Sequence, residues 1–260
     1  MSDTILEYID VHKSFGDKII YQGLNLKVQK GETLCIIGGS GTGKSVMIKM
    51  LVGLLKPDQG KVLAWGKDVS VMKESELLEV RRRIAMLFQN GALFDSLSVS
   101  ENIQYPLHAH GWKTPKDRKK RVDEVLEQVG LSGIADLRPS ELSGGMRKRV
   151  ALARSIAVEP EVLLYDEPTT GLDPISIRRI NGLIIQLQQQ LGVTSMVVTH
   201  EMPSVFTIAN RVALVRDHHA AFVGTVQELK NTSDQSLKEF IRGGEGVLDE
   251  LPAAEASWSE

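Results

Sequence analysis

An α/β fold with an inserted helical subdomain is what this sequence predicts, and three observations predict it. Short apolar runs alternate with amphipathic, helix-like segments at both ends of the chain, the pattern of strands joined by helical crossovers. Residues 4–30 instead carry closely spaced alternating runs, the mark of antiparallel pairing. The stretch from about 92 to 157 holds helix-like segments and no good strand.

The runs ILEYIDV and IIYQGLNLKV, broken by FGDK, predict an N-terminal antiparallel β-subdomain. ETLCIIGG is a continuous apolar strand, and SVMIKMLVGLL after it has helical spacing. KPDQG reads as a turn, KVLAWG as a short strand, SELLEVRRR as a helix and IAMLFQ as a buried strand. In the middle, SENIQYPLHAHG, PKDRKKRVDEVLEQVG and SGGMRKRVALARSIAV are helix-like. EVLLYDEP returns to strand, and ISIRRINGLIIQLQQQLG is a long amphipathic helix. TSMVVTHE is a strand, PSVFTIAN a helix and RVALVRDHHAAFVG a strand pair. The expected division is a core at about 1–91 and 158–242, a helical subdomain at about 92–157, and an acidic extension at 243–260. That extension begins with glycines and reads as flexible, with Trp258 its candidate anchor.

The 260 residues suffice for one large domain or two lobes with a sizeable core. A net charge of −2 leaves no global basic field, so nucleic acid is not an expected partner. The one cysteine, Cys35, excludes a disulfide framework and reads as core filler in a reducing compartment. MSDTILEYID is acidic and lacks a long apolar stretch, unlike a signal peptide. No apolar run is long enough to span a bilayer, so a membrane-spanning part would belong to another chain. Arg81, Arg82 and Arg83, and the basic run at 116–121, read as solvated helix faces. His108, His110, His218 and His219 read as surface loop histidines.

The chemistry starts at GGSGTGKS, residues 38–45, which fits G-x-x-x-x-G-K-[ST]. Gly38, Gly39, Ser40, Gly41, Thr42 and Gly43 let successive backbone N–H groups ring an anion. The helix that follows adds its positive end at Val46. Lys44 reaches β- and γ-phosphates, and the Ser45 hydroxyl suits Mg²⁺. The strand VLLYDE then supplies Asp166 for the metal shell and Glu167 to orient and polarise a water. SMVVT runs into His200, placed to donate to the γ-phosphate, and IAMLF runs into Gln89, placed to touch metal or water. Taken singly, each of these last two is an ordinary loop residue.

LSGGM, residues 142–146, puts Ser143, Gly144 and Gly145 at the front of another helix, a second anion cradle. One γ-phosphate does not need two cradles. The string resembles the signature sequence of ABC-type ATPases, in which the signature of one subunit covers the nucleotide held by the glycine loop of the other. The resemblance spans about residues 4–240 and implies a P-loop NTPase core of ABC-ATPase type. It implies ATP and Mg²⁺ as cofactors and a homodimer that sandwiches two ATPs. It also implies roles for Gln89 as the Q-loop glutamine, Asp166 and Glu167 as the Walker B pair, and His200 as the switch histidine. Asp173, in Gly171-Leu172-Asp173, falls in the D-loop. Phe15 in KSFGDK matches the aromatic that stacks on adenine; a core phenylalanine is the alternative.

One departure narrows the resemblance. Met146 stands where most members have glutamine. With LFQNGALFDSLSV, ENIQYPL, PSELSGGM and DEPTTGLDPI, the chain is similar to the ATPases of Mla/Mce-type lipid-trafficking systems. That resemblance implies an ATPase that powers phospholipid trafficking between the membranes of a bacterial envelope. Its partners would be a permease pair and an MCE-domain lipid-binding protein, at the cytoplasmic face of the inner membrane. Leu93, Phe94 and Leu97 are then candidates for gripping a permease helix, or for subdomain core. Two alternatives stay open: an importer ATPase for another solute, and a non-transport ABC ATPase, which would typically show tandem cassettes or a long coiled-coil insertion.

Overall fold

The structure is a computed structural model and describes residues 3–112 and 114–244. The tail beyond residue 244, Trp258 included, lies outside the described residues. The chain opens with β1 (Thr4–Phe15), β2 (Lys18–Gln29), β3 (Thr33–Ile37), α1 (Lys44–Leu51), β4 (Gln59–Ala64), β5 (Lys67–Asp68), α2 (Glu74–Arg83) and β6 (Ile84–Leu87). Three helices follow, α3 (Val99–Ala109), α4 (Pro115–Gln128) and α5 (Gly144–Ile156). Then come β7 (Val162–Asp166), α6 (Pro174–Leu191), β8 (Thr194–Val198), α7 (Met202–Ile208), β9 (Arg211–Arg216), β10 (His219–Thr225), α8 (Val226–Lys230) and α9 (Gln235–Gly244).

Two sheets result. A four-stranded antiparallel sheet has the order β2-β1-β4-β5. A six-stranded sheet has the order β10-β9-β3-β8-β7-β6, parallel from β9 to β6 with β10 antiparallel at its edge. In β3, β7 and β8 every residue is buried, as expected of strands covered on both faces. Alternate side chains of one strand enter different cores. Cys35 and Ile37 of β3 face the core shared with α3, α4, α5 and α6. Leu34 and Ile36 face the core under the antiparallel sheet and α1. Cys35 is wholly buried, and burial pushes its thiol pKa up, which suits an inert packing residue.

Between β6 and β7 the described residues form helices and no strand. Ser98 caps α3 with Glu101 in a capping box. Asn102, fully buried one turn in, holds the preceding loop shut. Its Oδ1 accepts from Phe94 N at 2.8 Å, and its Nδ2 donates to the carbonyls of Phe94, Leu97 and Ser98 at 3.0–3.2 Å. Within that loop Leu93 packs on the core, while Phe94 stays 43% exposed with its ring 4.9 Å from Tyr105. Among the described residues no helix is long and apolar enough to cross a membrane.

Several sequence expectations are corrected. The helix read over SVMIKMLVGLL stops at Leu51, because Gly53 turns at φ 67. The strand read through Gln89 ends at Leu87. His108 lies within α3 rather than in a loop, and His219 begins β10. The basic runs are not simple solvated faces. Arg118 and Arg121 are buried, donating to the Trp112 carbonyl and to the carbonyls of Ile156 and Ala157. Arg83 stacks on Trp65 and pairs with both carboxylate oxygens of Glu161. Spacing shows which side chains share a face, but not that a guanidinium reaches across to another element's free carbonyls.

Replacing Asn102 by Ala should strand the Phe94 N–H and free the 94–98 loop. We expect a loss of about 2–3 kcal/mol, read as a lower urea midpoint with an unchanged slope.

Candidate active site

The loop leaving β3 can be built only with glycine at two points. Gly38 has φ 155, and a Cβ there would stand 2.5 Å from the Val215 carbonyl oxygen. Gly43 has φ 97, and a Cβ would strike Ile20 Cγ2, while the Tyr21 hydroxyl donates to its carbonyl at 2.5 Å. The loop thus runs backbone-first into α1, whose first turn has no acidic residue and no side-chain cap. Val46 N–H and Met47 N–H donate to the Gly43 carbonyl at 2.7 and 3.2 Å, so Val46 does not offer the free N–H the sequence suggested, and the N–H groups ahead of it are the ones open to an anion. Lys44 is largely buried, and its Nζ donates to the carbonyls of Gly38 and Gly39 at 2.8 and 2.9 Å. Desolvation lowers its pKa, and the nearby charges of Glu167 and Asp166 act the other way.

The strand ends converge on this loop. Ser45 Oγ donates to Asp166 Oδ1 at 2.7 Å, joining α1 to the end of β7. Glu167 follows at φ 49, a left-handed conformation, with its N–H held by the Val198 carbonyl at 2.9 Å. Glu167 Oε2 lies 2.9 Å from both Thr170 Oγ1 and His200 Nδ1. Glu167 is 14% exposed and His200 59% in their side chains, so a shielded carboxylate meets an accessible ring. A neutral imidazole has one N–H. If Nδ1–H serves Glu167, Nε2 can only accept. Donation to a phosphate therefore requires a second proton or release of Glu167.

A cavity of about 880 Å³ opens between these parts. It is lined by the glycine loop, Lys44, Ser45, Val46, Gln89, Glu167 and His200, together with Ile20, Met202, Glu239 and Phe240. A second cleft of about 920 Å³, beside Arg149 and Arg179, brings no glycine loop or strand end and is not the candidate. Phe15, 47% exposed at the end of β1, Ser143, Gly144, Gly145 and Asp173 are not among the lining residues. Ser143 is the N-cap of α5, its Oγ accepting from Met146 N at 3.2 Å. Asp173 is the N-cap of α6, accepting from Ile175 N and Ser176 N at 3.0 Å. Its hydrogen bonds from Ser176 hold its carboxyl below the usual range. A Cβ on Gly145 would stand 2.5 Å from Ser176 Oγ, so the starts of α5 and α6 lie flush. Ser143 and Gly144 remain exposed.

The donor set fits Mg²⁺. Asp166, Ser45 and Gln89 offer oxygen ligands, and among the described residues no three His, Cys, Asp or Glu side chains cluster. A site with one carboxylate leaves room for waters and phosphate oxygens, which Mg²⁺ prefers. Sequence reasoning missed Thr170, the contribution of α9 through Glu239 and Phe240, and Lys148, whose Nζ donates to the carbonyls of Gln89 and Glu167. DEPTTGLD held Thr170 at three residues from Glu167, a legible spacing. Nothing in a basic run marked Lys148 as buried.

Comparisons with known proteins identify the family. The family model described as "ABC transporter" matches residues 21–170. The chain is 41% identical to the intermembrane phospholipid transport system ATP-binding protein MlaF of Haemophilus influenzae, covering 94% of this chain and 92% of that protein. It is 39% identical to the Escherichia coli K12 protein of the same name, covering 92% and 89%. A dimeric, post-hydrolysis structure of the ATP-binding cassette MJ0796 bound to ADP and Pi superposes with a TM-score of 0.78 at 31% identity. That match covers 85% of this chain and 99% of the other. The chain belongs to the ABC transporter family and is one of its ATPase cassettes.

Proposed function

We propose that this chain hydrolyses ATP to power phospholipid movement between the membranes of a bacterial envelope. The near full-length match to two phospholipid-transport proteins carries the reading. It acts as a homodimer, supported by the dimeric state of the MJ0796 cassette. Its partners are integral-membrane permease subunits and an MCE-domain lipid-binding protein. Its place is the cytoplasmic face of the inner membrane, held there by the permease.

ATP lies in the 880 Å³ cavity with its phosphates on the glycine loop and the N-terminus of α1. Phe15 stacks on the adenine from the end of β1, beside the turn into β2. Lys44 leaves the Gly38 and Gly39 carbonyls for the β- and γ-phosphates. Ser45, Asp166 and Gln89 would hold Mg²⁺, which would supply neutralisation of phosphate charge. Glu167, steadied by Thr170, aligns a water on the γ-phosphorus. A P–O bond to that water forms, the β–γ bridging bond breaks, and ADP, phosphate and a proton leave. His200 holds the γ-phosphate once it releases Glu167. The second subunit closes the site with its Ser143, Gly144 and Gly145, of which Ser143 and Gly144 are exposed in one copy, and its Asp173 caps the neighbouring helix. The helical stretch at about 92–157 carries the resulting motion through Leu93, Phe94 and Leu97 to the permease.

Glu167→Gln should keep ATP binding while lowering turnover at least a hundredfold. Turnover near the wild-type rate would remove Glu167 from its role. Ser143→Arg fills the exposed helix start and should abolish hydrolysis while costing about 1 kcal/mol of stability from the lost cap; undiminished hydrolysis would exclude the shared site. For the substrate, the chain purified with its permease should hydrolyse ATP faster in phospholipid vesicles. Stimulation by amino acids or metal complexes instead would point to another cargo.

A further inference from the structure

We infer that Lys148 is a positioning residue, through which the helix headed by Ser143 sets Gln89 and Glu167 of the same subunit. The inference rests on the two-subunit reading above. Lys148 is 6% exposed, yet its hydrogen bonds go to main-chain carbonyls rather than to a paired carboxylate. One carbonyl belongs to Gln89, the other, at 3.2 Å, to Glu167. These are the residues assigned to metal and to water, on two loops that follow different strands, β6 and β7.

Burying an ammonium group is unfavourable unless its charge and all its donors are matched. Desolvation opposes the charge here, and Glu167, Asp166 and Glu201 offset it. An apolar side chain of equal length would fill the same space without that penalty. The lysine is therefore explained by what its donors hold. Glu167 needs holding, because its backbone sits in the left-handed region.

The same helix also grips the Gln89 loop and the strand that leads into it. Arg154 donates to the Gly91 and Ala92 carbonyls at 2.8 and 2.7 Å, and Ser155 Oγ to the Met86 carbonyl at 3.3 Å. Lys148 alone among these α5 contacts extends the grip to Glu167. Lys148 lies five positions after Ser143, about 7.5 Å along a helix. The N-terminus of α5 thus faces the partner's nucleotide while its next turn touches the groups that act on its own. Engagement of one nucleotide is transmitted to hydrolysis of the other as a small rigid shift of α5.

The test is steady-state ATP hydrolysis by the full-length chain carrying Lys148→Met, which keeps length and loses the donors. kcat should fall about tenfold or more while the KM for ATP stays within about threefold, because the loss concerns alignment rather than binding. Lys148→Arg, which keeps donors for both carbonyls, should recover at least a third of the wild-type kcat. A Met variant within twofold of wild type overturns the inference, as does a KM that rises in step with the loss, or an Arg variant no faster than Met. Should the Met variant not fold, Lys148→Gln, with a shorter amide donor, takes its place under the same criteria. Ser143→Arg is assayed alongside. If it hydrolyses ATP normally, the shared site fails; if it is inactive and Lys148→Met is normal, only the present inference fails.

Discussion

Main-chain crowding at the end of β3 is the constraint on which the rest of the molecule depends. A carbonyl of β9, at Val215, and two side chains of β2, at Ile20 and Tyr21, press on the turn so closely that Gly38 and Gly43 cannot carry a Cβ. That contact brings both sheets to one point. The parallel sheet supplies its carboxyl ends, where helix N-termini and free strand ends meet. The antiparallel sheet, pinned to α1 by the Tyr8 hydroxyl on the Met47 carbonyl at 2.9 Å, forms the other wall. Because the turn presents backbone rather than side chains, its binding power lies in N–H groups fixed before any ligand arrives.

From that point the charges fall into order. Lys44 and Lys148 are both mostly buried, and both donate to carbonyls of loops on the site's rim. The charges of Asp166 and Glu167 act on both lysines and offset the cost of burying them. An arrangement of two cations and two anions holds near neutrality, although each group alone would be costly to bury. On the proposed function, a nucleotide carrying several negative charges would be met by lysine, helix N-terminus and metal together, with the two carboxylates placed to serve metal and water.

Much of this was legible in the sequence, for identifiable reasons. Strands β3, β7 and β8 are short continuous apolar runs because both their faces are covered, and such runs stand out. GGSGTGKS and LSGGM stand out because each sets glycines in fixed order at the start of a helix. Gln89, Glu167 and His200 could be named because each follows the end of a strand, and strand ends of a parallel sheet share one edge. What was not legible depends on distance in space. Arg118, Arg121 and Lys148 look like surface charge in a one-dimensional reading, since each partner is a carbonyl of another element and carbonyls leave no trace in the sequence. The approach of α9 to the cavity, through Glu239 and Phe240, is likewise a tertiary fact, since an amphipathic helix does not say which surface its face meets.

Two cradles and one carboxylate–histidine pair also constrain the order of events. In this structure His200 is engaged with Glu167, so a neutral ring has no proton left for a phosphate. Glu167 in turn has one oxygen shared between His200 and Thr170, which leaves the other to take a water. The pair thus holds the carboxylate in place but does not yet grip a γ-phosphate. Withdrawing His200 toward the phosphate leaves Glu167 with Thr170 on the same oxygen, still oriented, and with one fewer donor competing for its charge. On the proposed roles, the carboxylate would become a better acceptor for the water at the moment the phosphate is fixed. Nucleotide binding and activation of the attacking water would then be coupled through a single exposed ring, with no need for Glu167 itself to move.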